Sequence, residues 1–305
     1  FAPIEPELTN INRVLVVPNG PLTSLPFSVL VRSGVNSEKP EWLAEKYAFT
    51  TLPSVSSLRA LRTFAKETQA EKPFIGFGDP IFSGTEGSNR GASQYAVNRG
   101  LVVSGQQELA VPRLPETASE LEMISAALGN TSDTIYLGNK ATEARIKTTP
   151  LDPYRVVAFA THGLIAGERK GLREPALLFT APEKNTDIDD GVLTASEVAQ
   201  LKMNAEWVLL SACNTAAGDS PNAEGLSGLA KAFFYAGSKS LLVSHWKVHS
   251  MATTELLTNM FAMIKKNDTI GKAEALRQSM LKLIDTKQYS HPAYWAPFTI
   301  VGEGN

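Results

Sequence analysis

Cysteine is almost absent: the 305 residues contain one, Cys213. No internal disulfide can form, so the fold rests on its core, and a reducing, cytoplasmic setting is the expectation. Charge of one sign is also missing. Twenty-nine Lys and Arg face thirty-one Asp and Glu, a net −2, so no basic field offers itself to nucleic acid or to an anionic membrane, and neither is expected as a partner. No apolar run approaches the ~18 residues of a membrane span. No P-loop, no G-x-G-x-x-G after a strand and no G-x-S-x-G occurs, which removes nucleotide-binding and serine-hydrolase chemistry. Among the four histidines, only His245 and His249 have a short paired spacing, and a strand end suits zinc poorly. Neither metal nor cofactor is expected. No signal-peptide pattern opens the sequence, which begins on Phe1 rather than Met; a fragment of a longer protein is expected, with any targeting segment outside it.

What remains is the composition of an ordinary globular protein, 43% apolar and 20% charged, long enough to bury a large core. Short β-rich runs alternate with helical patterns, predicting an α/β fold with a mostly parallel sheet and helices on both faces. Predicted strands are Arg13–Pro18, Phe74–Phe77, Thr134–Leu137, Val156–Ala160, Trp207–Ala212, Ser240–Ser244 and Phe298–Val301. Val156–Ala160 and Val208–Leu210 are continuously apolar, as strands covered on both faces should be. Thr117 with Glu120, and Thr194 with Glu197, read as capping boxes. Leu226, Leu229, Ala230 and Phe233 form a core-facing stripe, repeated over Ala252–Ile264 and Lys272–Ile284. Asp189-Asp190-Gly191 suggests a hairpin turn. Gly84 to Pro115, rich in Gly, Ser, Asn and Gln without sustained period, is expected to be a functional or disordered loop.

Two of the strongest strands each run into a reactive side chain. Val156–Ala160 leads to Thr161-His162-Gly163, and Trp207–Leu210 to Ser211-Ala212-Cys213-Asn214-Thr215. Ligands dock outside the carboxyl ends of strands in an open parallel sheet, and sequential strands are usually neighbours. An imidazole and a thiol are therefore expected at one sheet edge. A free thiol is only slightly ionised at neutral pH, so a histidine is needed to take its proton and return it to a leaving amine. Gly163, without a side chain, lets its N–H approach a developing oxyanion, together with the N–H of Cys213.

His162-Gly163 and Ala212-Cys213, with the cysteine fifty-one positions after the histidine, have the spacing of caspase-like proteases. Further segments strengthen the likeness: Ser211–Thr215, Gly225-Leu226-Ser227-Gly228-Leu229, Ala232–Gly237, Ser244-His245-Trp246-Lys247-Val248 and His291–Phe298. With Val17–Leu22, Leu25-Pro26-Phe27 and Leu114–Thr117, they make the chain resemble the CHAT domain, a family similar to separase and caspases. The resemblance covers nearly the whole chain. It implies a caspase–haemoglobinase-type fold over 1–305, with an N-terminal portion over 1–115 resembling a pseudo-catalytic half and a catalytic portion over 116–305. It implies a thiol endopeptidase with Cys213 as nucleophile and His162 as base, acting on a protein or peptide substrate. A tetratricopeptide-repeat region or an activator protein is the implied regulator. The alternative on the same fold is a silent peptide-binding or scaffold module. The family often has Leu where His245 stands and acids where His249 and Ser250 stand. The substrate pocket is thus expected around His245, Trp246 and Ser250, with Asp219 as a further member, and to favour an uncharged residue before the cut.

Overall fold

The computed structural model describes residues 1, 3–33, 40–57, 70–82, 111–164, 166–167, 171–211, 228–246, 248–267 and 269–304. In chain order the strands are β1 (Arg13–Val16), β2 (Val31–Ser33), β3 (Glu41–Trp42), β4 (Ala48–Thr51), β5 (Lys72–Gly78), β6 (Ile135–Leu137), β7 (Tyr154–Ala160), β8 (Gly163–Leu164), β9 (Ala176–Leu178), β10 (Val192–Thr194), β11 (Trp207–Leu210), β12 (Ser240–Ser244) and β13 (Phe298–Gly302). The helices are α1 (Leu43–Lys46), α2 (Glu116–Ala127), α3 (Glu143–Thr148), α4 (Ala195–Val198), α5 (Gly228–Tyr235), α6 (Ser250–Lys266), α7 (Lys272–Ile284) and α8 (Pro292–Trp295). Among the described residues, no helix is long and apolar enough to cross a membrane.

Eight strands form one sheet in the order β1-β4-β13-β12-β11-β7-β5-β6. Every neighbouring pair is parallel except β12 with β13. The five strands from β12 to β6 therefore present their carboxyl ends along one edge. β8, β9 and β10 make a small antiparallel sheet directly beyond β7.

Alternation along the central strands separates two cores. Val157 and Phe159 of β7 join Val208 and Leu210 of β11 against Ile146 of α3, Val198 of α4 and the Leu229, Ala230 and Phe233 stripe of α5. Val156, Ala158 and Ala160 face the other way with Trp207 and Leu209. They meet Leu121 and Ile124 of α2, Leu256 and Met260 of α6, and Leu276 and Leu283 of α7. Helices thus cover both faces, and the continuous apolar runs have their physical cause. Phe159 sits in an aromatic layer, with ring centroids 5.6 Å from Phe77 and 5.3 Å from Phe233. Each such pair contributes about 1 kcal/mol beyond burial alone. Gly78, last in β5, is what lets α2 close on the sheet. A Cβ there would stand 2.6 Å from Leu121 Cδ1 and 3.3 Å from Thr117 Oγ1.

Predicted strands appear at each expected place within the described residues, with shifted ends. The short strands β2, β3, β8, β9 and β10, and β4 of the main sheet, were not among them; β4 is the one that matters to the large sheet. The alternate half-burial of β4 is a weak signal in four residues, and the helical turn just before it blurs the period further. α7 spans the predicted residues, and Thr194 with Glu197 closes a capping box at α4. The expected box at Thr117 and Glu120 does not form. Pro115 already has helical dihedrals, so Thr117 lies inside the first turn, and its hydroxyl donates to Leu114 O at 2.7 Å. The tight turn between β9 and β10 also moves: Thr186 and Asp189 pair across it. Asp189-Asp190-Gly191 is the return leg instead, with Gly191 at φ +78°. Of Gly84 to Pro115, residues 84–110 lie outside the described residues.

Candidate active site at the carboxyl edge of the sheet

The residues that follow the five co-directional strands are Asp79 after β5, Gly138 after β6, Thr161 and His162 after β7, Ser211 after β11 and His245 after β12. β7 and β11 are adjacent and parallel, with Phe159 opposite Leu210, as the order of strands in the chain led one to expect. Ser211 N–H extends that ladder, donating to Phe159 O at 3.0 Å. Cys213 and Asp219 lie outside the described residues.

His162 is half-buried, and its Nε2 lies 2.8 Å from the carbonyl oxygen of Pro112. A carbonyl only accepts, so Nε2 carries the hydrogen, and in the neutral ring the lone pair is on Nδ1. The ring of Phe82 stands 5.6 Å from the imidazole. The main chain of His162 is tied to the small sheet, with Leu178 N–H donating to His162 O at 2.9 Å. Thr161 Oγ1 donates to Leu178 O. Gly163 stands opposite Leu177, so by antiparallel alternation its N–H is directed away from β9.

Three further residues support this edge. Asp79 adopts φ +47°, and its N–H donates to Thr117 Oγ1 at 2.8 Å. Both of its carboxylate oxygens accept from Arg113, from Nε and Nη2 at 2.7 Å each. Beneath the start of the Cys213 segment lies Glu120 of α2, 2% exposed. Burial pushes its carboxyl up to about 7. The Ser211 hydroxyl lowers it by less, and Glu116 adds slightly to the rise. That contact does not satisfy Ser211, whose Oγ is buried without a well-formed hydrogen bond.

On the far side of β11, His245 N–H donates to Pro297 O at 2.8 Å. Its Nδ1 is buried without a hydrogen-bond partner, and burial pushes the imidazole down to about 4, so it is neutral at pH 7. Trp246 packs beside it, with Nε1 donating to Ala293 O at 3.2 Å. His162 and His245 thus flank the strand that leads to Cys213. His249 turns elsewhere: its Nδ1 accepts from Ala252 N at 3.4 Å and caps α6. Ser250 is the first residue of that helix. Trp295 is wholly buried, with Nε1 on Ser290 O at 3.0 Å.

Pro112, Asp79, Arg113 and Glu120 were not foreseen as parts of the site. Pro112 acts through a carbonyl, which no side-chain pattern announces, and Glu120 was read as a cap. The only available signals were an acid immediately after a strand, in Gly78-Asp79-Pro80, and an Arg between two prolines.

Over 320 aligned residues the chain is 26% identical to Tetratricopeptide repeat protein 28 of Mus musculus, covering 95% of this chain and 12% of that protein. The Homo sapiens protein of the same name matches at 25% identity over the same shares. The chain therefore spans only 12% of the length of these curated relatives. Among solved structures, the Arg specific cysteine proteinase gingipain R superposes with a TM-score of 0.51 at 9% identity, over 99% of this chain and 65% of that one. Such a likeness carries the fold, which is caspase-like. The CHAT domain profile matches residues 1–303, and the chain belongs to the CHAT domain family.

Proposed function

We propose that the chain is a cysteine endopeptidase that cuts a protein partner by acyl-enzyme chemistry, with Cys213 as nucleophile and His162 as general base. The observation that carries this is the register of β7 and β11. His162 and Cys213 are each the third residue beyond the paired Phe159 and Leu210. Two trans peptide units limit the Cα of Cys213 to about 7.6 Å from that of Ser211. In this scheme Nδ1 of His162 takes the thiol proton and the thiolate attacks the scissile carbonyl carbon. The outward N–H of Gly163 and that of Cys213 hold the oxyanion. Collapse breaks the C–N bond, His162 protonates the leaving amine, and water then hydrolyses the thioester. Pro112 O, by holding Nε2–H, keeps the ring in the tautomer that the first step requires.

A peptidyl electrophile should label Cys213 rapidly in the parent chain and at least ~10³-fold more slowly in His162→Ala. Cys213→Ser should abolish peptide cleavage with the fold intact. Retention of even about a tenth of parental cleavage by Cys213→Ser would remove the nucleophile, since loss of such a group costs far more. The pocket of this reading is walled by Trp246 and the neutral His245, which offer a guanidinium no charge-assisted partner. A peptide library should then show cleavage after uncharged residues. Strict cleavage after Arg would move the pocket to a carboxylate elsewhere.

A further inference from the structure

Arg113 and Asp79 form the best-made ion pair near the edge, yet neither belongs to the proposed chemistry. We propose that they are positioning residues for His162: their bidentate pair seats the Pro112 carbonyl on Nε2 and so decides which imidazole nitrogen carries the proton. This rests on His162 being the general base. The chain of contacts is short and complete. Gly78 pairs with Ala160 across β5 and β7, so Asp79 stands beside Thr161, one residue from His162. Asp79 itself is fixed from two sides: its N–H donates to Thr117 Oγ1 at 2.8 Å, and its carbonyl accepts from Gly138 N–H at 3.1 Å. From this anchored point both carboxylate oxygens hold the guanidinium fork at 2.7 Å. The residue before Arg113 is the one whose carbonyl meets Nε2 at 2.8 Å.

The anchor has to be a side chain because of the local sequence. Pro112 and Pro115 have no N–H, so a segment with two prolines has few amides with which to fix itself. Val111 packs against the small sheet near Ala176 and Leu178, which holds the segment on one side, and the fork holds it on the other. A fork fixes two atoms in a plane, which Lys does not. Nor is global stability the reason for the pair. The Arg113 side chain is 49% exposed against 7% for Asp79, and a pair with one half-exposed partner adds little to folding. A displacement of a base by about 1 Å, by contrast, can slow chemistry a hundredfold. The magnitudes therefore favour position over stability.

The test uses the 305-residue chain with isotope-labelled histidine, the His162 signals being assigned by their loss in His162→Gln. The parent should show the Nε2–H tautomer. Arg113→Gln and Asp79→Asn should each convert His162 to a mixture of tautomers. At a saturating concentration of a peptidyl electrophile they should slow labelling of Cys213 about tenfold, with the half-saturating concentration within about twofold. The double variant should be no worse than either single one, and Arg113→Lys should recover only part of the rate. Unchanged His162 tautomer and unchanged labelling in Arg113→Gln would overturn the proposal, and that variant removes a half-exposed side chain, so folding is not at stake. A shifted tautomer with labelling indifferent to every histidine variant would keep the positioning role and remove the dyad. Histidine-dependent labelling with an unmoved tautomer would keep the dyad and remove the positioning role.

Discussion

Two buried glutamates show how differently this molecule treats charge in two of its regions. Glu143, in α3 beside the β9–β10 arm, is 1% exposed and Glu120, beneath the carboxyl edge, 2%. Glu143 accepts from Lys147 Nζ at 2.5 Å, Asp190 N–H at 2.7 Å and Gly191 N–H at 3.0 Å. Lys147 in turn reaches Glu197 at 2.7 Å, and Glu197 closes the cap of α4 through Thr194. Every group in that network has a partner. Among the described residues Glu120 has the Ser211 hydroxyl before it, and Ser211 Oγ itself makes no well-formed hydrogen bond. Burial without pairing is costly, whereas the same burial inside a complete network builds structure. The arm is assembled for rigidity. The carboxyl edge carries, among the described residues, buried polar atoms without partners at Ser211 Oγ and His245 Nδ1, as sites that trade stability for chemistry do.

The comparison is sharpest when the same substitution is made at both positions. The Glu120 carboxyl lies above its ordinary value of 4.5, at about 7. The unfolded chain therefore gives up this proton first. Stability is full below pH 4.5, falls as pH rises through 7 and is level above it. Glu120→Gln should remove that loss and gain about 3 kcal/mol at pH 8, with no difference from the parent below the carboxylate's ordinary pKa. Urea unfolding at several pH values measures this directly. A variant less stable than the parent at pH 8 would mean that Glu120 is paired after all.

At Glu143 the sign should reverse. Gln has one acceptor oxygen where the carboxylate meets three donors, and its amide would point a hydrogen at one of them. Glu143→Gln should cost about 2 kcal/mol at pH 7. Burial raises the Glu143 carboxyl above its ordinary value in spite of these partners, so the parent is relatively more stable in acid and the loss should grow as pH falls. Equal effects of the two substitutions, of either sign, would dissolve the distinction between arm and edge.

Much of this fold is legible in the sequence. Val156–Ala160 and Trp207–Leu210 can only be central strands, because a run without a polar face has to be covered twice. The α5 stripe and α7 declare themselves by period, and the Thr194–Glu197 cap by a local rule that needs no neighbours. His162 and Gly163 followed from strand ends, since a side chain just beyond a parallel strand has one edge to occupy. Where local rules failed, something distant was competing. Thr117 bonds Asp79 N–H across thirty-eight residues, and Glu120 is carried under the sheet by the packing of Leu121 and Ile124.

The sequence by itself therefore determined the α/β class, the two-sided burial of the central strands and, by chain order, the adjacency of the two strands that lead to His162 and toward Cys213. These depend on period, propensity and spacing, which are properties of contiguous residues. Tertiary structure alone decided that Phe159 and Leu210 share a register, that Pro112 O meets Nε2 of His162, that Arg113 grips Asp79, and that Glu143 meets Asp190 and Gly191 N–H while Glu120 meets the Ser211 hydroxyl. Each of these is a contact between residues far apart in the chain. Its geometry is fixed by packing, and no local pattern encodes packing.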